Sequence, residues 1–405
     1  MNGGGAARTF DVSRQNVAFI VRAVLEGGPL PRARISERTG LSAAAVTRLS
    51  ARLVQAGLLR ELPSVLGAAD AGRPRVPLDL DVATRLTVGV HVGLLRTSVG
   101  LVNLRGNVVA RTVLPHGSTD PEVMADQAVS GVEELIAAEA KGRTVLGVGA
   151  SMGGWIDTDG GRVVEHAALG WRDVPFRDLL ARRLDVPLLF DDTVRGMAVA
   201  ECTFGAGTSV HSVAQLFVGN VVGAAIMIDR RVHRGPRSAA GWLTHLPLYG
   251  ATGGACTCGR RGCVQSVVSD AGMLDRARER GVAAPGEQLE DLIDRSRGGD
   301  KAAARVLRER SRHVGQVAAL LLDVINPDIV VLAGGPLATP EHLPAAQREL
   351  GKWSRLEAGA APRLVPSALG EHAQVLASAA VFLEAYFADP LSYEDTDAIL
   401  QGPPG

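Results

Sequence analysis

GWLTH at 241–245, followed by CTCGRRGC at 256–263, is the stretch on which the reading of this 405-residue chain turns. Three of the four cysteines, Cys256, Cys258 and Cys263, fall within eight residues there. Four cysteines in so long a chain are too few for a disulfide scaffold, and a cluster of three reads as metal binding in a reducing compartment. Gly259 and Gly262 let the backbone turn tightly enough to bring three sulfurs to one ion. A cluster of buried free thiols is the alternative, and it leaves the flanking glycines unexplained. Cys202 lies apart and is read as a small buried apolar residue.

Upstream, residues 14–26 place Val17, Ile20, Val21, Val24 and Leu25 at three- and four-residue steps, which predicts a helix with one buried face. Gly27-Gly28 ends it. Pro31 suits the first turn of a short second helix running through Arg38. Thr39-Gly40-Leu41-Ser42 then supplies a tight turn, with Gly40 free to take positive φ and Ser42 placed to cap a third helix. In that helix, 43–56, Val46, Leu49 and Leu53 face inward, leaving Thr47, Arg48 and Arg52 outside. This is a helix-turn-helix pattern whose outer face suits a DNA groove. LLREL and RVPLDL read as two strands around the tip GAADAGRPR, a basic wing carrying Arg73 and Arg75. A solvated loop is the alternative for that tip, and a protein-interaction module is the alternative for the three helices. Small residues beside Thr47, Arg48 and Arg52 favour groove entry.

The charge agrees with that division. The chain has 43 basic and 43 acidic residues, yet residues 1–80 hold eleven Arg against six acids, so a basic head sits on an acidic body. Lysine occurs only at 141, 301 and 352; arginine forks two hydrogen bonds to phosphate or guanine where lysine offers a point charge. With 46% apolar residues the composition excludes a disordered or fibrous chain. Neither a long apolar span nor the apolar core of a signal peptide is present, which predicts a cytoplasmic protein without membrane attachment.

From about residue 85 the pattern changes to LTVGVHVG, TSVGLVNL and NVVARTVL, an amphipathic stretch 121–140, and TVLGVGAS. A second set follows: VPLLFDD, a helix near 194–202, SVAQLFVG, VGAAIMID, a helical region of about 266–322, and DIVVLAGG. The repetition predicts a two-lobed α/β body with a ligand-holding cleft between its halves. The expected division is 1–80 for the winged head, 81–200 and 201–390 for the lobes, and 391–405 for a mobile, acidic tail.

Head, body and the GWLTH…CTCGRRGC run together resemble the ROK family of bacterial sugar-responsive repressors and sugar kinases, over roughly residues 12–390. The resemblance implies a winged helix-turn-helix followed by a body of the actin-like ATPase (ribonuclease H-like) type. It adds His245 as the fourth ligand, giving a closed shell of His245, Cys256, Cys258 and Cys263 suited to structural Zn2+. In sugar-binding members the zinc-bound histidine turns its other nitrogen to a sugar hydroxyl. Asp192 falls at the family's catalytic aspartate, the general base of the kinases. Asp191 replaces the usual asparagine before it, Trp242 the glutamate of the GExGH motif, Gln265 the glutamate after the last cysteine, and Ala168 an asparagine before Gly170-Trp171. Asp191, Asp192, Trp242, His245 and Gln265 are therefore the candidate ligand residues. The alternatives are a decayed site, and for Asp191-Asp192 a helix cap.

The phosphate-binding loops depart further. The family's DxGGT is His91-Val92-Gly93-Leu94-Leu95, and its GTGxG is Gly219-Asn220-Val221-Val222-Gly223; only Gly334-Gly335 survives on the nucleotide side. Phosphoryl transfer needs a phosphate cradle, so no enzymatic activity is expected. The expectation is a transcriptional repressor, homodimeric or homotetrameric. It binds operator DNA through Ser42, Thr47, Arg48 and Arg52, with Arg73 and Arg75 on the wing, and responds to a sugar or related small molecule. A hexose kinase using ATP and a ligand-independent regulator are the rivals.

Overall fold

The structure is a computed structural model that describes residues 4–63, 76–250, 254–356 and 363–396. The head begins with α1 (Gly4–Gly27), β1 (Leu30–Pro31), α2 (Arg32–Thr39) and α3 (Ala43–Gln55), and continues with β2 (Leu59–Glu61) and β3 (Pro77–Leu80). Gly40 adopts φ 70° at the end of α2, and Ser42 caps α3 by accepting from the Ala45 amide. Val17, Ile20, Val21, Ile35, Val46, Leu49 and Leu53 make the small core. The two expected strands pair through β3, and the short β1 completes a three-stranded sheet in the order β1-β3-β2. The wing tip with Arg73 and Arg75 lies outside the described residues.

Next come β4 (Arg85–Val92), β5 (Arg96–Asn103), β6 (Val108–Pro115), α4 (Pro121–Glu139) and β7 (Thr144–Met152). After β7 the chain forms a small antiparallel sheet of β8 (Trp155–Asp157), β9 (Arg162–His166) and β10 (Trp171–Val174), then α5 (Phe176–Ala181) and β11 (Leu188–Asp192). The first large sheet has the order β11-β7-β4-β5-β6. VPLLFDD therefore belongs to the first sheet and does not open the second, because its register partner is a strand some forty residues earlier. The small sheet gives no sign of itself in the sequence, since its three- to five-residue strands carry too little period-two pattern.

The rest comprises α6 (Thr193–Phe204), β12 (Val213–Val218), β13 (Val222–Ile228), β14 (Arg231–His233), α7 (Val264–Val268), α8 (Asp270–Glu279), α9 (Leu289–Arg297), α10 (Lys301–Ile325), β15 (Ile329–Gly334), α11 (Leu343–Trp353), β16 (Leu364–Pro366) and α12 (Ala373–Ala388). The helical region thus resolves into four helices. The second large sheet runs β14-β13-β12-β15-β16. β12 and β15 are parallel, Val213 opposite Ile329 through Val218 opposite Gly334, an arrangement that requires a crossover connection. Leu216, Val218, Val314, Val317, Leu332 and neighbours fill its core.

By their contacts the residues divide into two units, one of Met1–Ser151, Phe176–Phe190 and Gln374–Gly405, the other of Met152–Pro175 and Asp191–Ala373. This differs from the division at 80 and 200, because β11 and α12 return to the first sheet. Gly89 and Gly149 permit that return: a Cβ would stand 2.2 Å from the Val375 carbonyl oxygen at Gly89 and 2.0 Å from that of Ser378 at Gly149. Pro390–Thr396 forms a 3-10 turn with Tyr393 packed on Phe382 and Tyr386; 397–405 lie outside the described residues.

Two arginines of the first sheet hold the head. Arg105, in the turn between β5 and β6, donates to the Leu25 and Val24 carbonyls at the end of α1 and pairs with buried Asp79 of β3. Arg85 donates to the Ala56 carbonyl at the end of α3, at 2.6 Å. Helix C-termini carry unpaired carbonyls and partial negative charge, so a cation placed there satisfies both.

Candidate functional site: an exposed basic helix, a thiolate cluster and an aromatic concavity

On α3 the inward residues Val46, Leu49, Ser50 and Leu53 leave Thr47, Arg48 and Arg52 exposed. The Ser42 hydroxyl oxygen accepts the capping bond from the Ala45 amide, and the Thr47 hydroxyl donates to the Ala43 carbonyl at 2.8 Å. Most described head arginines are neutralised locally: Arg14 by Asp389, Arg22 and Arg38 by Glu26, Arg32 by Glu61, Arg34 by Glu37. Among the described residues Arg48, Arg52 and Arg60 have no ion-pair partner. Sequence reasoning misses Arg60, exposed on β2; its one signal is a cation on the strand leading to the wing.

His245, Cys256, Cys258 and Cys263 converge, with their ligand atoms all within 4.8 Å of one another. The Cys256 sulfur lies 3.4 Å from His245 Nδ1, and the Cys258 and Cys263 sulfurs lie 3.6 Å apart. Tetrahedral bonds of about 2.3 Å to one ion place two sulfurs about 3.8 Å apart, whereas a disulfide would hold them at about 2.0 Å. The donor set and spacing thus fit a metal ion. Gly259 at φ 82° and Gly262 at φ 73° make the turns that bring the sulfurs round. The backbone N–H of Arg260, and then its guanidinium, draw the exposed Cys258 thiol down to about 6, and burial pushes Cys263 up to about 12. Closely spaced thiols compete for a proton, and a cation resolves that competition by taking thiolates.

Asp191 and Asp192 end β11 and begin α6. Both are buried, but they differ in what they face. Asp191 Oδ1 accepts from the Asp192 amide, the Thr158 hydroxyl and Arg195 Nε, while its Oδ2 accepts from Arg234. Burial opposes ionisation there, yet Arg195 and Arg234 hold the carboxyl below the usual carboxylate range. Asp191 is thereby an internal counter-ion. Asp192 Oδ1 caps α6 by accepting from the Val194 and Arg195 amides, and its carboxyl lines a small concavity. Burial pushes Asp192 up to about 6 against the opposing pull of Arg195.

The concavity is lined also by Gly154, Trp155, Val194, Val221, Val222 and Trp242. The two indoles lie 5.8 Å apart with planes at 43°, and Trp242 meets the His245 ring edge-on at 6.3 Å. Gln265 and His245 are absent from that lining. Gln265 spends its amide on the 219–223 loop, accepting from the Val222 N–H at 3.0 Å and donating to the Asn220 carbonyl at 2.6 Å. Sequence reading finds Gln265 by position but not this bond, which depends on a partner more than forty residues away.

The loops matching the phosphate cradles have these surroundings. At the first, Gly93 N–H bonds to the Arg96 carbonyl beside buried His91, whose burial and then Arg96 push it down to about 4. At the second, Gly219 packs against the Phe217 ring. At the third, the Asp270–Arg310 ion pair crowds Gly335. No helix among the described residues is long and apolar enough to cross a membrane.

Comparison with known proteins agrees with this architecture. The ROK family pattern matches residues 87–385. Transcriptional regulator Rv0485 of Mycobacterium tuberculosis strain H37Rv is 32% identical over 399 residues, covering 94% of this chain and 87% of the relative. The xylose repressor of Bacillus subtilis strain 168 is 23% identical over 96% of this chain and 99% of its own length. Among solved structures, a ROK family transcriptional regulator described as a homologue of the E. coli MLC protein superposes with a TM-score of 0.79. It shares 21% identity and covers 96% of this chain and 99% of its own, so the two share a fold. With the pattern spanning the whole body and the identity extending through the head, the chain belongs to the ROK family.

Proposed function

We propose that the chain is a transcriptional repressor that binds double-stranded operator DNA through α3 and is retuned by a small molecule held beside Asp192 and Trp242. The observation that carries this reading is the exposed pair Arg48 and Arg52, without ion-pair partners among the described residues in a head whose other arginines are mostly neutralised. Arg48 and Arg52 contact base edges or phosphates, Ser42 and Thr47 support them, and Arg60 adds a phosphate contact beside the wing residues Arg73 and Arg75. One recognition helix makes few base contacts, so the working form is a homodimer or homotetramer on a twofold operator, acting in the cytoplasm. A zinc ion at His245, Cys256, Cys258 and Cys263 ties the 245–263 loop together. The protein is not an enzyme: the altered first and second cradle motifs leave Asp192 without a phosphoryl group to serve.

The test is a gel shift on DNA upstream of the gene across a salt series. Selective binding is expected. Arg48→Ala with Arg52→Ala should weaken it and lower the log–log salt slope by about 0.9 for each phosphate that is no longer neutralised. Absence of selective binding overturns the regulator reading. ATP-dependent phosphorylation of a hexose, abolished in Asp192→Ala, overturns the non-enzymatic one.

A further inference from the structure

We infer that Cys258 and Cys263 form a modification site, a dithiol that a hydroperoxide oxidises to a disulfide within the chain, and that the same event strips the metal shell of two ligands. The inference goes beyond operator binding and needs no guest in the concavity. Its metal-release arm alone rests on the reading of zinc at His245, Cys256, Cys258 and Cys263.

The three thiols differ in what can reach them. Cys256 and Cys263 are buried, whereas Cys258 is exposed. Exposure continues along the turn from Thr257 to Arg261, and a Cβ at Gly259 would meet nothing within 4 Å, so Cys258 stands on a tip open to a small solute. The Arg260 guanidinium lies against its sulfur. Cys263 is held in place: it directly precedes α7, and its carbonyl accepts from the Val267 amide and the Ser266 hydroxyl. The two sulfurs are 3.6 Å apart, and a disulfide needs about 2.0 Å. The exposed tip can close that gap, because Gly259 and Gly262 lie between the two cysteines and bend the backbone at little cost. Cys256 is the poorer partner. Only Thr257 separates it from Cys258, and its amide and carbonyl are both committed to the turn, to the Arg260 carbonyl at 2.8 Å and the Gly259 amide at 2.9 Å.

The chemistry balances with hydrogen peroxide as the oxidant. The Cys258 thiolate attacks one peroxide oxygen, the O–O bond breaks, and the other oxygen leaves as hydroxide beside the Arg260 guanidinium, which stabilises the departing charge. Cys258 is then a sulfenic acid. The Cys263 thiolate attacks its sulfur, the S–S bond forms, the S–O bond breaks and a second hydroxide leaves. Solvent protons turn both hydroxides into water, so each thiolate gives up one electron and the peroxide takes both. His245 and Cys256 are left, two donors where a closed shell has four.

The test exposes the purified full chain to hydrogen peroxide, with glutathione in a parallel tube as the clock, follows zinc with a chromophoric chelator and maps the thiols by peptide mass. Before the glutathione is consumed, the chain should lose two hydrogens in mass, carry a disulfide between Cys258 and Cys263 and release zinc in equal amount, with Cys202 still a thiol. Dithiothreitol with added zinc should restore the starting state. Arg260→Ala keeps all four ligands and should slow disulfide formation at least about tenfold; Cys202→Ser should change nothing. Circular dichroism confirms that both variants fold. A disulfide between any other pair overturns the inference, as do Cys258 trapped as a sulfinic acid, thiols untouched after the glutathione is consumed, zinc retained once the disulfide has formed, or an Arg260→Ala rate equal to that of wild type. Elemental analysis of the starting protein separates the zinc reading: a folded chain that purifies metal-free yet forms this disulfide refutes zinc and leaves the modification site standing.

Discussion

Replacing Asp192 by Asn is expected to stabilise the protein at neutral pH although the residue lines the candidate site. Asn caps helices as well as Asp does, so the bonds to the Val194 and Arg195 amides survive. The charge is what changes. Burial raises the carboxyl from its ordinary 3.8 to about 6, so as pH climbs the unfolded chain ionises first and native stability falls between those two values. At about 1.4 kcal/mol for each tenfold change in acidity, the full cost above pH 6 is about 3 kcal/mol. The value of about 6 already includes the pull of the Val194 and Arg195 amides on the carboxylate, so the net gain expected for the variant is about 3 kcal/mol. Below about pH 3 the carboxyl is neutral in both states and the two proteins should be equally stable. Urea unfolding of wild type and variant from about pH 3 to about pH 8, followed by tryptophan fluorescence, measures the difference directly. A variant less stable than wild type at pH 8, or a gain of the same size at every pH, would refute the reasoning.

Arg105→Ala should destabilise the head by about 2–4 kcal/mol, since it strands the buried Asp79 carboxylate as well as two carbonyls; Asp79→Asn in the same chain should recover part of that, and a double-mutant cycle by thermal unfolding that finds the two changes simply additive would contradict it. Cys256→Ser should abolish stoichiometric zinc measured by elemental analysis, and a folded wild-type protein that purifies metal-free would sink the zinc assignment. Gly149→Ala drives a methyl group into the Ser378 carbonyl and should cost about 1–3 kcal/mol, read as a drop in melting temperature; an unchanged melting temperature would mean that α12 sits less tightly on the sheet than described.

Local features are legible in the sequence. Gly40 and Ser42 announce the turn and cap, the apolar period of 14–26 announces α1, and the cysteine spacing announces the cluster, because in each case the partners lie within a few residues. What escapes is pairing at a distance. VPLLFDD carries a strand pattern but no mark of which sheet it joins. Gln265 reads as a polar residue near a ligand, and only the fold reveals its amide fastened to Asn220 and Val222. Asp191 reads as a ligand group for the same reason, until Arg195 and Arg234 are seen to claim it.

The arginines that reach from the first sheet to the ends of α1 and α3 bear on how this protein can be engineered. A fusion that grafts the reader onto another sensor would naturally be cut near residue 82, after the last strand of the winged sheet. Such a cut discards Arg85 and Arg105, leaving three helix-end carbonyls and one buried carboxylate without their cations. The transplantable cassette accordingly extends past residue 105, carrying the β4–β5 hairpin as its mounting plate.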